Sequence, residues 1–200
     1  MQKVVIPLFT SPILGFVLGL IFMKFLFKIL RPFSNSFVNK WFSKFQILSA
    51  AWMAFSHGKN DAQKSMGIIT LALISEGLLN KGADVPYVVM LACAFAMAIG
   101  TSFGGWKIIK TMGVNMIRLQ PIGGFAAETS AALVIETASF IGAPVSTTHV
   151  ISSSIMGVGS AKRLSAVRWT LARNIVGAWV LTIPVTATIG AVITLIIKLF

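Results

Sequence analysis

Ser56-His57-Gly58-Lys59-Asn60-Asp61-Ala62-Gln63-Lys64-Ser65 lies inside an otherwise apolar segment that runs from Gln46 to Leu79. Ile47 to Phe55 precede it and Met66 to Ile74 follow it, both largely apolar. About 20 apolar residues cross a bilayer, so the segment is long enough to span and carries a polar knot in its middle. Ionisable side chains at membrane depth cost roughly 2.5–3.5 kcal/mol each on insertion scales, so they face a partner or a cavity. Gly58 beside Asn60 and Asp61 predicts that the helix breaks here and bares backbone groups able to hold an ion. The alternative, a surface loop between two soluble helices, does not suit such flanks.

Composition points the same way. Of 200 residues 56% are hydrophobic and 11% charged, with a mean hydropathy of +0.87, where a soluble domain carries about 25% charged residues. This predicts an all-α integral membrane protein, multi-pass, with the lipid bilayer as its surroundings. The net charge of +12 would suggest nucleic acid on a soluble fold. Here the basic residues fall between apolar runs, as the positive-inside rule produces, so no nucleic-acid partner is expected. Cys93, the lone cysteine, lies in the apolar run Met90 to Ile99. It excludes a disulfide framework or a cysteine metal cluster, and no metal or organic cofactor is expected.

Working outward, residues 1–23 read as a first span, with no charged n-region or cleavage site of a signal peptide. Residues 24–45 read as a basic, aromatic interfacial connector, 46–79 as the broken span, and 87–105 as a further span. Residues 121–160 are apolar but interrupted at Gly142-Ala143-Pro144, and 174–198 form the last span. Twelve of the 17 lysines and arginines lie in three groups, five in Lys24 to Lys44, three in Lys107 to Arg118 and four in Lys162 to Arg173. All three should be cytoplasmic. That requires 121–160 to cross an even number of times, as a re-entrant hairpin or as two short spans, and it leaves both termini outside. The fold expected is a polytopic helical bundle with broken helices and a re-entrant hairpin.

Val145-Ser146-Thr147-Thr148-His149 follows Pro144, where a half-helix would begin. Hydroxyls and free N–H groups at a helix N-terminus can bind an anion, or the Ser and Thr can simply cap the helix. His149 alone is more ordinary as a packed residue than as a ligand. Two interrupted segments with polar groups at each break point to a transporter's substrate site. Glu128 and Glu136 stand two helical turns apart, and either could bind a cation or pair with Lys59 or Lys64. Glu128, flanked by Thr129 and Ser130, is the better candidate for an ion site.

These residues resemble a known family. His57 to Gly67 is similar to the Gly-x-Asn-Asp signature of the inorganic phosphate transporter family, Pro144 to His149 to its Pro-Val-Ser-Thr-Thr-His element, and Gly123 to Glu128 to the stretch before it. The resemblance covers nearly the whole chain. It implies secondary transport of inorganic phosphate coupled to sodium or protons across the cell membrane. It assigns Ser146, Thr147, Thr148 and Asn60 to phosphate, and Asp61, Asn60 and Glu128 to the coupling cation, with His57, Gln63, Lys64 and His149 as accessory groups. Family members contain two inverted repeats. One copy of each motif stands here, so the chain resembles the C-terminal repeat, one half of an inverted-repeat transporter. A second chain, a missing N-terminal repeat or a homo-oligomer would complete the site. The competing reading is a channel or a membrane scaffold subunit without coupled transport. An enzyme is not expected, because no nucleophile elbow or His-Glu-x-x-His pair is present.

Overall fold

The computed structural model describes residues 2–199 and is all-helical; Met1, at the edge of the first expected span, lies outside them. The order is α1 (Gln2–Leu30), α2 (Asn35–Ser75), α3 (Tyr87–Lys110), α4 (Pro121–Phe140), α5 (Thr147–Lys162) and α6 (Trp169–Leu199). A π-helical turn, Thr111–Met116, extends α3, and a short 3-10 turn, Leu164–Ala166, precedes α6. Among the described residues three helices are long and apolar enough to cross a membrane, over Val5–Leu30, Tyr87–Trp106 and Trp169–Ile197.

Two expectations are corrected. The interfacial connector over 24–45 is the last turns of α1, a turn at residues 31–34, and the first turns of α2. Pro32 cannot continue α1, and Ser34 starts α2 by accepting a hydrogen bond from the Phe37 N–H at 3.3 Å. The second correction concerns the polar knot, because α2 is one unbroken helix of 41 residues through Gly58, Asn60 and Asp61. A mid-helix glycine costs only about 1 kcal/mol. Asn60 bonds Ser139 of α4 and Asp61 bonds Thr147 of α5 and the Lys64 side chain, so neither competes for the helix's own backbone. The knot is a polar face of a continuous helix.

Residues 121–160 do form a helical hairpin. Gly142 sits at φ 69°, the left-handed region that glycine adopts freely. The Ala143 N–H reaches the Ala138 carbonyl at 2.9 Å and the Gly142 N–H that of Ser139 at 3.1 Å, a Schellman ending for α4. Gly77, at φ 72°, closes α2 in the same way.

The hairpin is the core. Of the 16 residues of α5, 11 are buried, whereas none of the most apolar window of α6 is buried. On one side α4 lies parallel to α2, with pairs Ser49–Glu128, Ser56–Glu136 and Asn60–Ser139 separated by 79, 80 and 79 positions. On the other side α5 lies parallel to α1. A Cβ on Gly19 would stand 2.6 Å from the Ser154 carbonyl oxygen, and one on Gly157 would overlap the Phe16 carbonyl. Glycine therefore lets the two backbones touch, as small residues do between membrane helices. These pairings put the hairpin tip beside the middle of α2. They put the open ends of the hairpin beside the α1–α2 turn.

Candidate functional site

The site lies where residues 56–64 of α2 meet the hairpin tip, residues 139–148. Three polar residues on one face of α2, at spacings of seven and four, prepare it: Ser49, Ser56 and Asn60 are each no more than 3% exposed. Each takes a partner on α4. Ser49 donates to Glu128 at 2.6 Å, Ser56 to Glu136 at 3.0 Å, and the Asn60 amide to the Ser139 hydroxyl at 3.0 Å. Lys59 adds an ion pair to Glu136 at 3.0 Å, so Glu136 is a structural carboxylate.

Asp61 is the centre of the tip. Its Oδ1 accepts from Lys64 Nζ at 2.8 Å, while Oδ2 accepts from Thr147 Oγ1 at 3.1 Å and faces His57 Nδ1 at 3.3 Å. Lys64 also donates to the Val145 carbonyl at 2.6 Å. These bonds clamp the start of α5 onto α2. Ser146 caps α5 by accepting from the His149 N–H at 3.4 Å, which is the capping role weighed above, and its hydroxyl proton stays available to a ligand. The N–H groups of Thr147 and Thr148 have no acceptor among the described residues, as the first turn of a helix requires. Thr147 is buried and Thr148 exposed.

Two cavities flank the clamp. One, about 360 Å³, is lined by Leu8, Asp61, Lys64 and residues 144–148. The other, about 280 Å³, is lined by Asn60, Gln63, Lys64, Ser139 and residues 142–144. Lys64 and Pro144 belong to both. Asn60 Oδ1 is buried and has no hydrogen-bond partner among the described residues. A buried carbonyl oxygen in that condition calls for a ligand or an ordered water. The first cavity thus offers hydroxyls, N–H groups and an ammonium to an anion, and the second offers an amide oxygen to a cation.

The fold brings together Asn60, Asp61, Gln63, Lys64, Ser146, Thr147 and Thr148, with His57 at the edge. It leaves two expected residues apart. Glu128 sits with Ser49, eleven residues before Asn60 on the parallel helix and so about 17 Å away along the axis. His149 stacks on Trp179, ring centroids 4.0 Å apart, and so ties α5 to α6. Sequence reasoning missed Ser139, Ser56 and the Val145 carbonyl. The spacing of Ser49, Ser56 and Asn60 inside an apolar helix was the signal for the α2 face, whereas a backbone carbonyl leaves none.

Comparison with known proteins supports the helical fold. A sodium-dependent phosphate transporter of known structure superimposes with a TM-score of 0.73 at 28% identity, over 100% of this chain and 57% of that one. The probable low-affinity inorganic phosphate transporter of Bacillus subtilis is 46% identical over 197 residues, 98% of this chain and 59% of that protein. Its counterpart in Rhizobium meliloti is 48% identical over 184 residues, 90% of this chain and 54% of that protein. The chain thus spans little more than half the length of these relatives. Residues 31–190 match the sequence profile of the Phosphate transporter family, and this integral membrane chain belongs to that family.

Proposed function

We propose that this chain forms one half of a secondary transporter that carries inorganic phosphate across the cell membrane with a coupling cation. The observation that carries the reading is the hairpin tip, where Ser146, Thr148 and the free N–H groups of α5 share a cavity with Lys64 and Asp61. Such a helix start favours a phosphate oxygen. Asn60 Oδ1 and Asp61 supply oxygen ligands next to it, suited to a hard cation such as sodium. The cation offsets the charge of phosphate in a low-dielectric site. Sodium is the first choice because the similar solved transporter is sodium-dependent; protons are the other. Glu128, on α4 beside Ser49 and well removed from Asn60 along the helix axis, acts as a second coupling carboxylate. His57 and Gln63 stand beside the clamp, and His149 holds α5 against α6. The segment of the relatives that this chain does not span completes the site, in a longer polypeptide or as a second chain, and the basic end faces the cytoplasm.

The test is phosphate uptake into liposomes, with the chain alone and with a chain bearing the other repeat, under imposed sodium or proton gradients. Saturable uptake driven by one gradient is the expected result in the paired preparation. A phosphate leak independent of any gradient would favour the channel reading, and no flux from either preparation would favour the scaffold reading.

A further inference from the structure

A second charged cavity lies at the opposite end of the bundle from the hairpin tip. It measures about 460 Å³, and Arg118, Lys162, Arg163 and Arg168 line it without any carboxylate. An adjoining cavity of about 390 Å³ shares Lys162 with it and adds Arg31. All three basic segments of the sequence therefore converge here. None of these five side chains forms an ion pair or hydrogen bond with the protein among the described residues. Cations gathered this closely repel one another unless an anion lies between them.

The walls are fixed. A Cβ on Gly159 would overlap Ile117, so glycine lets the segment after the π-helical turn close directly over α5. The Arg168 N–H bonds the Met116 carbonyl at 3.1 Å, and Met116 and Val167 beside it are buried. Gln120 and Ser165 are the other polar members of the lining, and the rest is apolar or glycine, with Met23, Phe27 and Val114 among it. Phe33, which lines the adjoining cavity, begins an exposed row with Phe37, Trp41 and Phe45, neighbouring rings 5.4–6.1 Å apart. Trp41 in this row is of the type enriched at the membrane–water boundary, and basic helices with Trp and Phe on one face lie in that boundary. The cavity thus opens at headgroup level, with guanidinium groups on one wall and hydrocarbon on the other.

We propose that this cavity binds the phosphate of an anionic phospholipid, its acyl chains lying against Met23 and Phe27. Guanidinium groups pair phosphate in a bidentate fashion, and basic pockets between membrane helices on the cytoplasmic side hold such headgroups. The site is separate from the hairpin tip, so its fate does not depend on what the tip carries. The chain, purified in an uncharged detergent, is titrated by calorimetry with short-chain phosphatidylglycerol, short-chain phosphatidylcholine and inorganic phosphate. Phosphatidylglycerol should bind at least about tenfold more tightly than phosphatidylcholine, and salt should weaken it. R118Q/R163Q/R168Q should abolish the preference, and R118K/R163K/R168K, which keeps charge, should retain part of it. Equal affinity for the two lipids, or an unchanged preference in the glutamine variant, overturns the proposal. So does inorganic phosphate that competes with phosphatidylglycerol and is lost in the same variant, because the site would then belong to the soluble ion.

Discussion

At the scale of single residues, Asp61 concentrates the most consequence, because Lys64, His57 and Thr147 all converge on its two oxygens. In a complete transporter containing this half, Asp61→Asn should abolish gradient-driven phosphate uptake while leaving membrane insertion unchanged, measured as uptake per inserted protein. Uptake at the unsubstituted rate would remove Asp61 from the site. The two threonines can be separated. Thr147 spends its hydroxyl on Asp61, so Thr147→Val should shift the phosphate and the cation dependence together. Thr148 is exposed and its hydroxyl has no protein acceptor among the described residues. Thr148→Val should raise the KM for phosphate roughly tenfold, the worth of about 1.5 kcal/mol for a hydrogen bond to a charged group, with the cation dependence unchanged. Sequence reading identified these residues by type and position. It assigned the phosphate-facing role to Thr147 and Thr148 alike, because only three-dimensional pairing shows which hydroxyl is already engaged.

At the scale of elements, hydrophobic runs and the Gly142-Ala143-Pro144 break located the helices and the hairpin well. The supposed break at Gly58 was misread, because glycine, asparagine and aspartate are helix-breaking in isolation and a partner helix changes the balance. Ser139, some 80 positions away, accepts the Asn60 amide N–H, and sequence gives no sign of that pairing. The continuity can be tested. No atom lies within 4 Å of a Cβ placed on Gly58, so Gly58→Ala should stabilise the chain by about 0.5–1 kcal/mol, seen as a higher Tm in detergent, with uptake retained. A lower Tm or lost uptake would mean that the helix opens there during its work. Gly157→Leu tests the opposite face. Its side chain would run into the backbone of α1 at Phe16, and a cost of about 1–3 kcal/mol from overpacking should appear as a lower Tm.

At the scale of the molecule, the basic residues of three separate segments meet at one end, while the candidate site lies towards the other. Charge counting suggested a common side for these segments, but it could not show that they share a cavity. Single cysteines at Arg31, Arg118 and Arg163, in a Cys93→Ser background, should all label with an impermeant maleimide from the cytoplasmic side only. Labelling of any one from outside would refute the proposed orientation. The low burial of α3 and α6 was legible only as hydrophobicity, since sequence does not distinguish a surface facing lipid from one facing another subunit.

Parallel pairing also sets an order of assembly. The pairs that hold α2 to α4 join residues 77–80 positions apart, the Thr147–Asp61 bond from α5 joins residues 86 apart, and the Ser154–Gly15 bond joins residues 139 apart. A helix that pairs with its immediate successor can dock as soon as both have emerged, but here α1 and α2 emerge long before their partners. During synthesis Ser49 and Ser56 have only the Gln46 and Trp52 carbonyls of their own helix, and Asp61 only Lys64 and His57. Asn60 waits for Ser139 until the hairpin arrives and wedges between the two helices already in place. A ribosome that stalls before α4 leaves a product without Glu128, Glu136 and Ser139 to cover this polar face, a feature that distinguishes an unfinished chain from a finished one.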